Sequence, residues 1–294
     1  MKNNTIKYWI WLSRLKNIKC TQKEILLNKF KSPERIWNLD KKILLEVERL
    51  NAKCINEILN QEYREDLEKY EKYIIDNNIK IITIFDEQYP KKLKNIYDKP
   101  IILYAKGNLE LLKQDGIAIV GCRNCSEYGK QVSKNFAMDL AKQNKCIISG
   151  LAKGIDTFAH IGALEVGGNT IAVIGNGLDN IYPYENKKLC ERILKNNGLI
   201  ITEYLVGTKP DKLNFPKRNR ILSALADGIL VVEAQEKSGA LITADFGLEH
   251  GKDIFAIPGN ITSINSKGTN KLLQQGANLF INSNDIIELC YGMS

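Results

Sequence analysis

The chain has 294 residues, 44% of them hydrophobic and 26% charged, a composition that excludes a disordered or fibrous protein. At roughly 150 residues per domain this length predicts about two domains, large enough to fold without disulfide or metal staples. The net charge of +8 does not by itself indicate nucleic acid: 23 basic and 17 acidic residues fall in 1–115, so the positions of individual cations must decide.

The first apolar patch, Tyr8-Trp9-Ile10-Trp11-Leu12, is broken by Ser13 and Arg14 and is too short for a signal-peptide core. No apolar run approaches the ~18 residues of a membrane span, so a cytoplasmic location without membrane contact is expected. Residues 1–70 read as a helical domain, with apolar residues at helical spacing in Ile25-Leu26, Phe30, Ile43-Leu44, Val47 and Leu50. Ser32-Pro33-Glu34 has the form of a cap followed by a first-turn proline. Nothing in this stretch suggests chemistry.

The texture changes at about 79, and residues 71–294 are expected to form a second domain. Strand-like runs cover 79–84 and 101–104, punctuated by Pro90, Pro100 and Gly107. From 116 a regular alternation begins. Nearly continuous apolar runs at 117–120, 146–149, 170–174, 199–202, 229–232 and 253–257 are separated by segments of helical character such as 127–143 and 241–249. This predicts an α/β fold, a mainly parallel sheet covered by helices on both faces.

Ligands of such sheets bind at the carboxyl ends of the strands. The segments following these runs are Gly121-Cys122-Arg123-Asn124-Cys125-Ser126, Ser149-Gly150-Leu151-Ala152-Lys153-Gly154-Ile155-Asp156, Gly175-Asn176-Gly177 with Tyr182-Pro183, and Glu233-Ala234-Gln235-Glu236-Lys237-Ser238-Gly239. Glycines admit a ligand close to the backbone, and helix starts offer free N–H groups to an anion, so several such turns carrying hydroxyls or cations predict a phosphate-binding edge. The dinucleotide fingerprint is incomplete, since Asn180 stands where the third glycine belongs, and no P-loop is present. The run Phe215-Pro216-Lys217-Arg218-Asn219-Arg220 sets three cations beside an aromatic, with Pro216 suited to open a helix. As a charge run it suits a solvated face; at a helix start its cations suit an incoming phosphate, with Phe215 able to stack on a base.

The seven cysteines are odd in number and irregularly spaced, which predicts free thiols. Cys122-x-x-Cys125 lies between strand and helix as in thioredoxin-like motifs, but the five further β/α units are not that topology, and a lone pair does not make a four-cysteine zinc site. Asp156 and His160 share a helix face, and with Ser149 they compose a conceivable hydrolytic set. Without a Gly-x-Ser-x-Gly elbow, a structural role is favoured, Asp156 capping the helix and pairing with His160.

Together these segments resemble the DNA-processing protein A family, also called DprA or Smf. The resemblance rests on Ser149 to Asp156 with Ala159-His160, on Thr170 to Asp179 with Tyr182-Pro183, and on Phe215 to Arg220. It rests further on Glu233-Ala234 with Ser238 to Thr243, on Ala256-Ile257-Pro258-Gly259, and upstream on Tyr89-Pro90-x-x-Leu93 and Leu103-Tyr104-x-x-Gly107. It implies an extended Rossmann domain that binds single-stranded DNA and helps load RecA on incoming DNA in natural transformation. It also implies a homodimer, with the contact falling on Leu272, Leu273 and Gln274, and an N-terminal domain of the sterile-alpha-motif kind. Neither catalysis nor a cofactor or metal is expected. The DNA contacts expected from position are Arg123, Ser149, Lys153, Phe215, Lys217, Arg218, Arg220, Lys237 and Ser238. The chain departs from the family where Cys122 replaces the serine of Gly-Ser-Arg and where Tyr184 replaces a basic residue after Tyr-Pro, with Lys187 or Lys188 as substitutes. Some members add a winged-helix domain after the Rossmann domain, and with the sequence ending at Ser294 none is expected here. The alternative is a nucleotide-processing enzyme of the phosphoribohydrolase kind, but its Pro-Gly-Gly-x-Gly-Thr-x-x-Glu turn is missing from 233–243.

Overall fold

A computed structural model describes residues 6–292. Six helices come first: α1 (Ile6–Arg14), α2 (Cys20–Phe30), α3 (Pro33–Trp37), α4 (Lys41–Leu45), α5 (Ala52–Leu59) and α6 (Leu67–Asp76). Short polar caps set their starts: Ser32, Asp40 and Asn51 each accept a hydrogen bond from a first-turn N–H. Their apolar faces, led by Trp9, Ile10, Trp11 and Leu12, share one core cluster with Ile102 and Tyr104 of the sheet.

The sheet has nine strands: β1 (Lys80–Thr83), β2 (Ile102–Gly107), β3 (Gly116–Val120), β4 (Cys146–Ser149), β5 (Thr170–Val173), β6 (Leu199–Thr202), β7 (Gly228–Val231), β8 (Asp253–Ala256) and β9 (Asn278–Leu279). Their order is β1-β2-β6-β5-β4-β3-β7-β8-β9. From β6 to β9 every pairing is parallel, whereas β2 runs antiparallel to both β1 and β6. The connecting helices are α7 (Lys91–Lys94), α8 (Glu127–Lys142), α9 (Ile155–Glu165), α10 (Lys187–Lys195), α11 (Asn214–Leu225), α12 (Gly239–Glu249), α13 (Lys267–Gln274) and α14 (Ser283–Tyr291). Alternate residues of β3 enter opposite layers: Ala118 and Val120 join the cluster containing α11 and α12 residues, while Ile117 and Ile119 join that of α8 and α9. With both faces covered, β3 is apolar throughout, as the sequence pattern predicts.

The topology fixes where a ligand can enter. The chain runs outward from β3 through β4, β5 and β6, then crosses back to β7 on the other side of β3. The loops leaving β3 and β7 therefore diverge, and a crevice opens between them at the strands' carboxyl ends. Among the described residues no helix is long and apolar enough to cross a membrane.

Candidate nucleic-acid interface

That crevice holds a cavity of about 530 Å³. Its walls are the turn after β3, the loop after β7 with the start of α12, and one face of α11. Phe215, Arg218, Asn219 and Leu222 line it, at the i, i+3, i+4, i+7 spacing of a single helical face. Pro216 lies inside the first turn rather than opening α11, which begins at Asn214; a proline there removes no intrahelical hydrogen bond.

Arg123, Lys212, Arg218 and Lys237 line the cavity, against one carboxylate, Asp156. Arg123, Lys212 and Lys237 are exposed, whereas Arg218 is buried beneath them. Its Nη1 donates to the carbonyl oxygens of Gly150, at 2.7 Å, and Val173. Gly150 makes room for this: a Cβ there would lie 2.4 Å from Nη2 of Arg218. Burial pushes the guanidinium down to about 10, with Asp156 opposing and Arg123 reinforcing the shift, so it stays cationic at neutral pH. Burial likewise raises the Asp156 carboxyl, against Arg218 and the N–H groups of Ala152 and Gly150.

An aromatic element crosses this cationic floor. The rings of Tyr182 and Phe215 stack at 5.5 Å with 30° between planes, and the Arg123 guanidinium lies 5.4 Å from the Phe215 ring. An adjoining niche of about 50 Å³ is lined by the same four side chains, Arg123, Tyr182, Phe215 and Arg218, with Lys153. Gly154, at φ +78°, lets the Lys153 loop pack against the Arg123 turn; a Cβ there would meet the backbone oxygens of Cys122 and Arg123. Ser238 caps α12, its Oγ accepting from the Ala240 N–H at 3.3 Å, and the start of this helix faces the cavity.

Of the nine positions expected at the site, Arg123, Phe215, Arg218, Lys237 and Ser238 line the cavity and Lys153 the niche. Three do not join them. Ser149 is fully buried and its hydroxyl donates to the Ile119 carbonyl at 2.7 Å, because it ends β4 facing its neighbour strand rather than the crevice. Lys217 is exposed but lines neither cavity nor niche. Arg220 is 3% exposed at its side chain and forms a two-pronged pair with Glu203, both contacts at 2.7 Å. Its Nε donates to the Asp98 carbonyl at 2.7 Å. Lys217 and Arg220 are three residues apart and face away from the Phe215–Arg218 side, so the helical period divides the cationic run. Lys212, Asn124 and the Tyr182–Phe215 stack were missed from sequence; Lys212 was legible as the cation in the loop just before α11.

The serine, aspartate and histidine of the conceivable hydrolytic set form no relay, because His160 pairs with neither of the others. Asp156 Oδ2 accepts from the N–H groups of Gly150 and Ala152 at 3.0 and 3.4 Å, and the N-cap of α9 is Gly154. His160 is fully buried and pairs through Nδ1 with the Thr170 hydroxyl at 2.7 Å, not with Asp156. Its helix face is pressed onto the sheet, where β5 offers a neutral partner, and burial pushes its pKa down to about 3. All seven cysteines are free, and burial raises the Cys122 and Cys125 thiols, keeping them protonated. Among the described residues no three His, Cys, Asp or Glu side chains gather as a metal would require.

Residues 80–291 match the family described as DNA recombination-mediator protein A. The DNA processing protein DprA of Streptococcus pneumoniae is 47% identical over 205 residues, 70% of this chain and 72% of that protein. Protein Smf of Synechocystis is 36% identical over 291 residues, covering 98% of this chain and 73% of its own length. The X-ray structure of the S. pneumoniae protein matches with a TM-score of 0.83 at 36% identity, over 96% of both chains. DNA processing protein A of Helicobacter pylori, whose structure describes that protein's single-stranded DNA binding mode, matches with a TM-score of 0.64 at 34% identity, over 71% of this chain and 95% of that one.

Proposed function

Because the chain belongs to the DNA recombination-mediator protein A family, we propose that its crevice binds single-stranded DNA and that the protein passes the bound strand to a RecA recombinase, serving incoming DNA in natural transformation. The observation that carries this reading is the convergence of Arg123, Lys212, Arg218 and Lys237 on one cavity beside the stacked Tyr182 and Phe215 rings. Cations spread over several loops suit successive phosphates, and an exposed aromatic edge suits unpaired bases. The protein acts as a binder rather than an enzyme, in the cytoplasm. In this reading the helical segment and the sheet are two domains joined at 70–71. Two copies associate through Leu272, Leu273 and Gln274, of which Leu272 is buried, Leu273 half-buried and Gln274 exposed.

The test is single-stranded DNA affinity across a salt series. Arg123→Ala and Lys212→Ala should each weaken binding and reduce the slope of log K against log salt by about 0.7, one phosphate contact on a single strand. Phe215→Ala should weaken binding by about 1–3 kcal/mol with the slope nearly unchanged, because stacking releases no counterions. Folded variants that bind like the parent at every salt concentration would refute the assignment.

A further inference from the structure

Lys153 does not face the crevice as a free cation. Its ammonium is held by the Glu185 carboxylate, and the side chains are 51% and 62% exposed. The hydrogen bond from Lys153 keeps Glu185 below the usual carboxylate range, so Glu185 is a carboxylate at neutral pH. The architecture delivers Glu185 to this place. Asn186, the next residue, is buried, and its Nδ2 lies 2.9 Å from the Leu151 carbonyl, 3.2 Å from that of Ala152 and 2.9 Å from the Thr157 hydroxyl. The segment carrying Tyr182 and Glu185 is thereby fastened to the loop carrying Lys153, while Gly154 fastens that loop to the Arg123 turn.

The geometry points to Glu185 as a built-in phosphate substitute that occupies Lys153 in the free protein and sets how strongly this end of the crevice attracts a nucleic-acid backbone. The inference rests on the reading of the crevice as a single-stranded DNA site. A phosphate reaching Lys153 must displace a carboxylate that stays nearby, so the two residues together add no net charge to the groove. Because both side chains are half in water, the exchange is cheap, and the pair tunes affinity rather than blocking entry. It also makes binding less steep in salt, since the displaced carboxylate regains a cation as the DNA loses one.

Charge arithmetic supplies the experiment: fluorescence anisotropy of a labelled short oligothymidylate, across a salt series, with five proteins. Glu185→Gln should bind about two- to fivefold more tightly at low salt, as expected for releasing one exposed charge pair. Its salt slope should be steeper by about 0.7, and its advantage should shrink as salt rises. Lys153→Ala should bind more weakly than the parent, and the double variant should return close to it. Glu288→Gln, on exposed surface of α14, should leave binding unchanged and controls for net charge. Parent-like binding by Glu185→Gln at every salt, or equal tightening by Glu288→Gln, would overturn the role of Glu185 while leaving the DNA site intact. A parent that does not bind the oligonucleotide would overturn both.

Discussion

Replacing Arg220 with alanine separates a bracing role from a DNA-binding one. The side chain is 3% exposed and its partner Glu203 10%, with both prongs of the pair at 2.7 Å and a further ion-pair contact from Nε to Asp98 at 3.2 Å. Removing one partner of a buried pair leaves the other charged and unpaired, at a cost of about 3–5 kcal/mol. For a chain of this length each kcal/mol moves the melting midpoint by about 2 °C, so Arg220→Ala should melt roughly 6–10 °C lower. Arg220→Met with Glu203→Leu should recover most of that loss, because an apolar pair removes both desolvated charges. The pH dependence has a definite sign. Burial pushes the Glu203 carboxyl up, but Arg220 more than offsets this and leaves it below its ordinary 4.5. The stability it contributes is complete above about pH 4.5 and is lost as pH falls through the lower folded value. The doubly apolar variant should therefore lose less stability than the parent below pH 4.5. The assay pairs thermal melting with the oligonucleotide salt series. An Arg220→Ala protein that melts like the parent but shows a salt slope lower by about 0.7 would refute the bracing role and return Arg220 to the DNA site.

His160 should remain neutral in the folded protein far into acid, since burial holds it near 3 against 6.5 for a free imidazole. The unfolded chain takes up the proton first, so stability is full above pH 6.5 and falls by about 1.4 kcal/mol per unit between there and about pH 3; His160→Gln should flatten that part of the profile, and an imidazole resonance titrating near 6.5 in the native protein would contradict it. A dimer through Leu272 to Gln274 should sediment as such at tens of micromolar, well above typical interface dissociation constants, and a monomer at that concentration would count against it. The exposed Ile264 and Leu279 flank this segment in sequence, so Leu279→Lys should weaken the association.

The parallel part of the sheet was legible because its strands are buried on both faces. The expected runs at 146–149 and 199–202 coincide with β4 and β6, and those for β3, β5, β7 and β8 are within a residue at either end. The antiparallel placement of β2 was not legible, since Tyr104 pairs with Thr202, almost a hundred residues later, and no local pattern records that choice. β9 has two residues, too few for a periodicity. At the crevice, position after a strand led to Arg123 and Lys237, which line the cavity, and to Lys153, which lines the niche. It failed for Ser149, still within β4 and directed at the next strand.

The cationic run of α11 shows why residue type and position are insufficient without helical period. Phe215, Arg218, Asn219 and Leu222 share the cavity face, and Lys217 and Arg220, which lie among them in sequence, do not line it. Arg220 instead meets Glu203 at the end of β6, Asp98 in the loop before β2, and Cys20 at the start of α2, whose Sγ is 3.9 Å away. Three parts of the molecule, the helical segment, the antiparallel edge and α11, are thus tied at one buried ion pair. Arg218, two residues away on the same rigid turn, reaches across to the Gly150 and Val173 carbonyls that position the niche. A loss of the Glu203 contact would free α11 to shift, and the groove face would shift with it. If the crevice is the DNA site proposed above, Arg220 acts on it through where it holds Phe215 and Arg218, and its removal should lower affinity without removing a phosphate contact from the salt slope.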